Sequence, residues 1–116
     1  MLIASPSWKR ASSCFTHKHL PDVQYVVCTS QADAYRQNGL PVWECPDSAQ
    51  GSVCRVRNWI LDNAEDEHVL IVDDDIHHIG FWNGNRHKKM TTDESMELIE
   101  LGFQLAEQFG VRMWGI

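Results

Sequence analysis

The chain lacks an apolar run long enough to cross a bilayer, a CxxC pair, an excess of basic residues and any internal repeat. Each absence excludes something. A membrane span needs about 20 consecutive apolar residues, and Met1 leads straight into a strand-like segment without a signal-peptide pattern. The expectation is a cytoplasmic protein with no membrane partner. Four cysteines, Cys14, Cys28, Cys45 and Cys54, are too widely spaced for a zinc site. Cys28 and Cys45 fall in apolar strand-like runs, where a free thiol packs as a small hydrophobe, and that suits a reducing compartment. The formal net charge of −6 excludes a generic nucleic-acid coat. It leaves room for local basic sites, because cations gather at Lys9 and Arg10, at Arg55 and Arg57, and at Arg86, Lys88 and Lys89. With 116 residues the chain is expected to be one domain, residues 1–116, able to bury a core.

What is present is organised around residues 68–78, HVLIVDDDIHH. Residues 68–72 have the aliphatic, β-branched composition of a strand buried on both faces. Three carboxylates, Asp73, Asp74 and Asp75, follow without a break. Side chains alternate along a strand, so Asp73 and Asp75 should point one way and Asp74 the other. Two like charges so close favour a hard divalent cation, and oxygen ligands suit Mg²⁺ or Mn²⁺. The bland alternative is a solvated acidic turn. The apolar run in front weighs against it, because ligands in α/β sheets sit beyond the carboxyl ends of central strands.

The rest of the chain alternates strand and helix patterns. Residues 2–4 form a first strand that opens into Ser5-Pro6-Ser7-Trp8-Lys9-Arg10, a polar loop with two cations. Residues 12–19 suggest a short helix and residues 24–29 a second strand. Ser30 reads as the N-cap of a helix over 31–37, and residues 42–45 make a third strand. A helix over 51–64 carries Val53, Val56, Ile60 and Leu61 as its apolar stripe. Arg55 and Arg57 lie near its start, where the macrodipole disfavours cations, which suggests a negative ligand nearby. Asn83-Gly84 between alternating runs marks a hairpin whose second arm is basic. Thr91 and Glu94 form a capping box for a last helix, with Met96, Ile99, Phe103 and Ala106 on its core face. Residues 111–116 read as one more strand. This βαβαβαβ alternation predicts an α/β fold, a mainly parallel sheet with helices on both faces, Rossmann-like in plan.

Three pieces in this order resemble the nucleotide-binding half of a GT-A glycosyltransferase: Pro6 to Arg10 after the first strand, Gly51 followed by Arg57-Asn58, and an apolar strand ending in Asp73-Asp74-Asp75. Within that fold, QGSVCRVRN followed by VDDDI is most similar to transferases of phage and related elements that glycosylate hydroxymethylated pyrimidines in DNA. The resemblance implies a metal-dependent glycosyltransferase with a nucleoside-diphosphate sugar donor, commonly UDP-linked, and Mn²⁺ or Mg²⁺ bridging aspartate to diphosphate. It implies a donor site of Pro6, Ser7, Arg10, Thr29, Arg57, Asp73 and Asp74, in which Arg10 and Arg57 contact the donor or brace the aspartates and Thr29 lies beside the base. Asp75 would be the direct metal ligand, and Asp73 would lie nearer the ribose or in the metal's water shell. The chain matches the first half of that fold only. The acceptor half, which usually carries the catalytic base of inverting enzymes, has no counterpart here: either a second chain supplies it, the sequence is a fragment, or the chain is not catalytic alone, and the expected protein partner is that second chain or a homo-oligomer. Two other classes stay open. One is a non-catalytic nucleotide- or protein-binding half-domain that pairs through its last strand. The other is a metal-dependent phosphotransfer or nuclease site built from Asp73, Asp75, His77 and His78, with His17 and His19 as further donors.

Overall fold

A computed structural model describes all residues, Met1 to Ile116. Two compact units follow one another along the chain, Met1–His77 and His78–Ile116.

The first unit is built on four parallel strands. They are β1 (Leu2–Pro6), β2 (Val23–Cys28), β3 (Val42–Cys45) and β4 (Val69–Ile71), in the spatial order β3-β2-β1-β4. Ile3 lies opposite Val23 and Leu70, so β1 is paired on both edges. Helix α1 (Thr29–Gln37) connects β2 to β3, and α2 (Val53–Asn63) connects β3 to β4. On one face Val56 and Ile60, one turn apart on α2, pack with Ala4, Val26, Cys28 and Cys45. Alternation sends Ile3, Tyr25 and Val27 to the opposite face, and these too are buried, as are Ala32 and Tyr35 of α1. The sheet is therefore flanked by helices, as the strand–helix alternation predicts.

Three local expectations are corrected in this unit. The strand before the aspartates is an edge strand, and Val69, Leu70 and Ile71 are only partly buried. Composition reports apolar surroundings but cannot tell an edge from a centre. Residues 12–19 do not form a helix; a 3₁₀ turn at Thr16–Lys18 stands there instead. Its donors are recruited elsewhere, since the Phe15 and Thr16 amides donate to the Asp74 carbonyl and the Thr16 hydroxyl to the Asp73 carbonyl at 2.6 Å. Ser30 is not an N-cap. Cys28 occupies that position, and the Ser30 amide donates to Asp47, a bond that holds the Asp47 carboxyl below the usual carboxylate range.

The second unit opens with an antiparallel hairpin, β5 (Gly80–Asn83) and β6 (Arg86–Lys89), whose turn includes Gly84 at φ 64°. That left-handed backbone is what the Asn-Gly pair predicts. Helix α3 (Thr92–Gln108) begins with the expected capping box, in which Thr91 accepts from the Glu94 amide and Glu94 from the Thr91 amide. Residues 111–116 form no strand. Gly110, left-handed at φ 66°, ends the helix. The Trp114 indole then packs edge-on against Phe103 at 5.2 Å, over Gly102, where a Cβ would collide with it. Hydrophobic residues that read as a strand are here a tail anchored by one aromatic ring.

All four cysteines are free, and only Cys54 is exposed. Burial pushes the Cys14 and Cys45 thiols up, which keeps them protonated and unreactive. A disulfide reagent added to native protein is therefore expected to titrate one thiol quickly and the other three only on unfolding. Four fast thiols would show that the first unit is not packed as described.

Candidate functional site

The strand order reverses at β1. The chain steps outward from β1 to β2 to β3, then α2 carries it back to β4 on the other side of β1. Open α/β sheets leave a crevice beyond the carboxyl ends of the strands at such a switch point. Here those ends are Pro6-Ser7 after β1 and Asp73-Asp74-Asp75 after β4. A pocket of about 540 Å³ lies there, lined by both stretches together with Trp8, Arg10, Gln50, Gly51, Ser52, Val53 and Val56. The loop before α2 thus forms a third wall. Gly51 takes φ 124°, a backbone open to few other residues, as the chain turns into the helix that Ser52 caps.

The three acids divide as strand alternation predicts. Asp74 turns inward and is 7% exposed, whereas Asp73 and Asp75 face solvent. Asp74 is held by a connected network. The Arg10 amide donates to the Tyr35 hydroxyl at 3.1 Å, and Tyr35 and Ser7 share a hydrogen bond of 2.7 Å. Ser7 in turn donates a short hydrogen bond to Asp74 Oδ2. Since the Ser7 proton goes to the carboxylate, Tyr35 must supply the proton of the bond they share. Burial pushes the Tyr35 phenol up, so it stays neutral and able to donate.

Arg10 completes the network from the solvent side. Its Nε lies 3.1 Å from Asp74 Oδ1 and its terminal nitrogen 3.1 Å from Asp75 Oδ2. One guanidinium thus ties the buried acid to an exposed one, the forked geometry that arginine is suited to. Arg57 approaches the third acid, with 4.0 Å between its terminal nitrogen and Asp73 Oδ1. Arg55 takes no part; its guanidinium folds back toward the Gln50 carbonyl. The acid loop is fixed from below by the Thr16 hydroxyl, which also accepts from the Ile76 amide at 3.0 Å.

Of the residues singled out from sequence, Pro6, Ser7, Arg10, Asp73, Asp74 and Asp75 meet in the pocket wall, and Arg57 reaches it through Asp73. Thr29 does not line it; its hydroxyl donates to the Cys45 carbonyl at 3.3 Å at the start of α1. Trp8, Gln50, Ser52 and Val53 line the pocket without having been singled out for it. Trp8 carried a usable signal, as a large aromatic in a polar loop between Pro6 and Arg10.

No group of three or more His, Cys, Asp or Glu side chains is gathered to hold a metal by itself. His77 stacks on Phe15 with ring centroids 4.8 Å apart, and His17 shares a hydrogen bond with the Tyr25 hydroxyl. Both of these rings are thus engaged within the first unit. A Mg²⁺ or Mn²⁺ ion asks for less from protein, typically one or two carboxylates with water and substrate phosphate completing the shell. Asp73 and Asp75, exposed at the pocket wall and bearing hard oxygen donors, fit that requirement.

No curated protein and no solved structure matches this chain. A family model does, that of the TET-Associated Glycosyltransferase family (TAGT), over residues 1–111. A match of that extent, on a chain whose pocket sits at the switch point of a parallel sheet, makes this protein a member of the TET-associated glycosyltransferase family.

Proposed function

We propose that the pocket between the ends of β1 and β4 receives the nucleoside-diphosphate sugar of a GT-A-type transfer, most simply a UDP-sugar, together with Mn²⁺ or Mg²⁺. The charge balance of the pocket carries this reading. Three carboxylates stand against two guanidiniums, Arg10 and Arg57. A diphosphate entering alone would meet net negative charge, and a divalent ion bound with it reverses the sign. When bound, that ion would neutralise the charge that builds on the leaving diphosphate.

The chain's own residues would then divide the work. Asp75, and Asp73 beside it, would offer carboxylate oxygens to the ion. Arg10, already poised on Asp75, is within reach of an anion placed there, and Arg57 would play the same part next to Asp73. Asp74 would act from underneath by fixing Arg10. Trp8, exposed at the mouth, offers a flat apolar surface for a base or sugar ring. The acceptor in this reading is a hydroxymethylated pyrimidine in DNA.

The test is a transfer assay with UDP-sugars, Mn²⁺ and DNA containing hydroxymethylated pyrimidine, run on the chain alone and with candidate partner chains. The expected result is sugar incorporated into hydroxymethylated DNA and not into unmodified DNA, abolished by Asp75→Ala. Transfer of equal rate in the presence of a chelator would contradict the metal-bridged donor.

A further inference from the structure

The β5–β6 hairpin is the one part of the protein where charge, exposure and aromatic content all depart from the rest. Residues 76–90 contain Arg86, Lys88 and Lys89 and no acid, in a chain of net charge −6. Both faces of the ribbon are open, since every residue of Phe81–Asn83 and Arg86–Lys89 is exposed. A bare two-stranded hairpin is marginal in water, so a surface this open gains from being covered.

The register shows what each face offers. Trp82 pairs with His87 and Phe81 with Lys88, and alternation puts the two pairs on opposite faces. On the first face, Trp82 is 73% exposed and lies T-shaped to the His87 ring, with centroids 5.7 Å apart. His87 is held in turn by His78 at 5.4 Å and lies over Gly80, where a Cβ would sit 2.5 Å from its Nε2. The indole is thereby positioned beside His87 and left largely open to solvent. Lys89 shares that face by alternation. The second face presents Phe81 with the Lys88 ammonium 5.8 Å above its ring, and Arg86 two residues from Lys88 on the same side. An aromatic ring beside cations, on both sides of a narrow ribbon, suits a partner that has regularly spaced negative charge and flat apolar rings.

We propose that the β5–β6 hairpin is a nucleic-acid-binding ribbon, in which Arg86, Lys88 and Lys89 contact the phosphates of a DNA strand and Trp82 stacks on an unpaired base. This deepens the reading of DNA as acceptor and rests on it. Phosphate contacts supply affinity without sequence preference, whereas stacking selects an unpaired or extruded base. That division matches an acceptor that must be reached on the base itself.

The test measures binding of labelled single-stranded and duplex DNA by the full chain across a salt series, with UDP binding in Mn²⁺ followed in parallel. Arg86→Ala/Lys88→Ala/Lys89→Ala is expected to weaken DNA binding at least about tenfold and to flatten the single-strand salt dependence by about 2 units of slope. Trp82→Ala is expected to weaken single-strand binding by roughly tenfold and to leave the salt slope unchanged. UDP binding should be unaltered in both variants, which also reports that they are folded. Variants that bind DNA as the parent does would overturn the hairpin assignment and leave the DNA-acceptor reading standing. A parent chain that binds UDP but neither form of DNA would overturn both. Equal binding of heparin, with no effect of Trp82→Ala, would overturn the stacking and reduce the hairpin to a plain polycation.

Discussion

Replacing Asp74 by Ala is expected to lower the free energy of unfolding by about 3 kcal/mol, the lower end of the range for removing one partner of a buried ion pair. The lower end applies because Arg10 is partly in water, its side chain 45% exposed. The effect reaches beyond the pair. Ser7 loses the acceptor for its proton, and the chain of hydroxyls through Tyr35 to the Arg10 amide loses its terminus. Buried donors left without acceptors are costly in their own right. Asp73→Ala is the matched control, since that side chain is 77% exposed and should change stability by less than about 0.5 kcal/mol. Urea unfolding of the two variants measures the contrast. Equal midpoints would show that Asp74 is not the interior anchor of the acid loop.

Removing the two exposed acids is expected to have the opposite profile, with little effect on stability and a large one on the donor. In the presence of Mn²⁺, Asp73→Ala/Asp75→Ala should weaken UDP binding by about a hundredfold or more, roughly 2.8 kcal/mol. Without metal the same variant should bind UDP no worse than the parent. Arg10 then has only Asp74 to satisfy, and two negative charges have gone from the pocket wall. That reversal of sign between the metal and metal-free series distinguishes ion-mediated binding from a general loss of the pocket. Titration calorimetry of parent and variant in both conditions would show it. A variant that loses affinity equally in both would mean that the carboxylates shape the pocket and do not hold an ion.

Much of the secondary structure in both units was legible because its signals are local. The apolar runs of β1 to β3, the Asn-Gly turn and the Thr91–Glu94 box each specify geometry within a few residues. That Asp74 points away from Asp73 and Asp75 followed from alternation, even though β4 ends before it at Ile71; which side is the interior did not. Less legible were features decided by distant partners. Residues 12–19 carry no sign that their backbone donors will be taken by carbonyls of the acid loop almost sixty residues away. Nor does the composition of β4 reveal an edge position, which depends on the absence of a further neighbour. Arg10 was singled out as a donor contact or a brace for the aspartates, but that it would pair with Asp74 and Asp75 at once depends on where β1 and β4 lie side by side, a property of topology. The tail misled because Val111, Met113 and Trp114 have strand composition, while a single glycine opposite Trp114 makes a packed turn available instead.

The central claim is that the acid tip binds its diphosphate ligand through a divalent ion. Its most direct test is the melting temperature of the purified chain with UDP, with UDP and Mn²⁺, and with UDP and a chelator. A rise is expected with UDP only when Mn²⁺ is present, and no rise in either condition for Asp75→Ala. An equal rise with UDP in chelator, retained by Asp75→Ala, would contradict it.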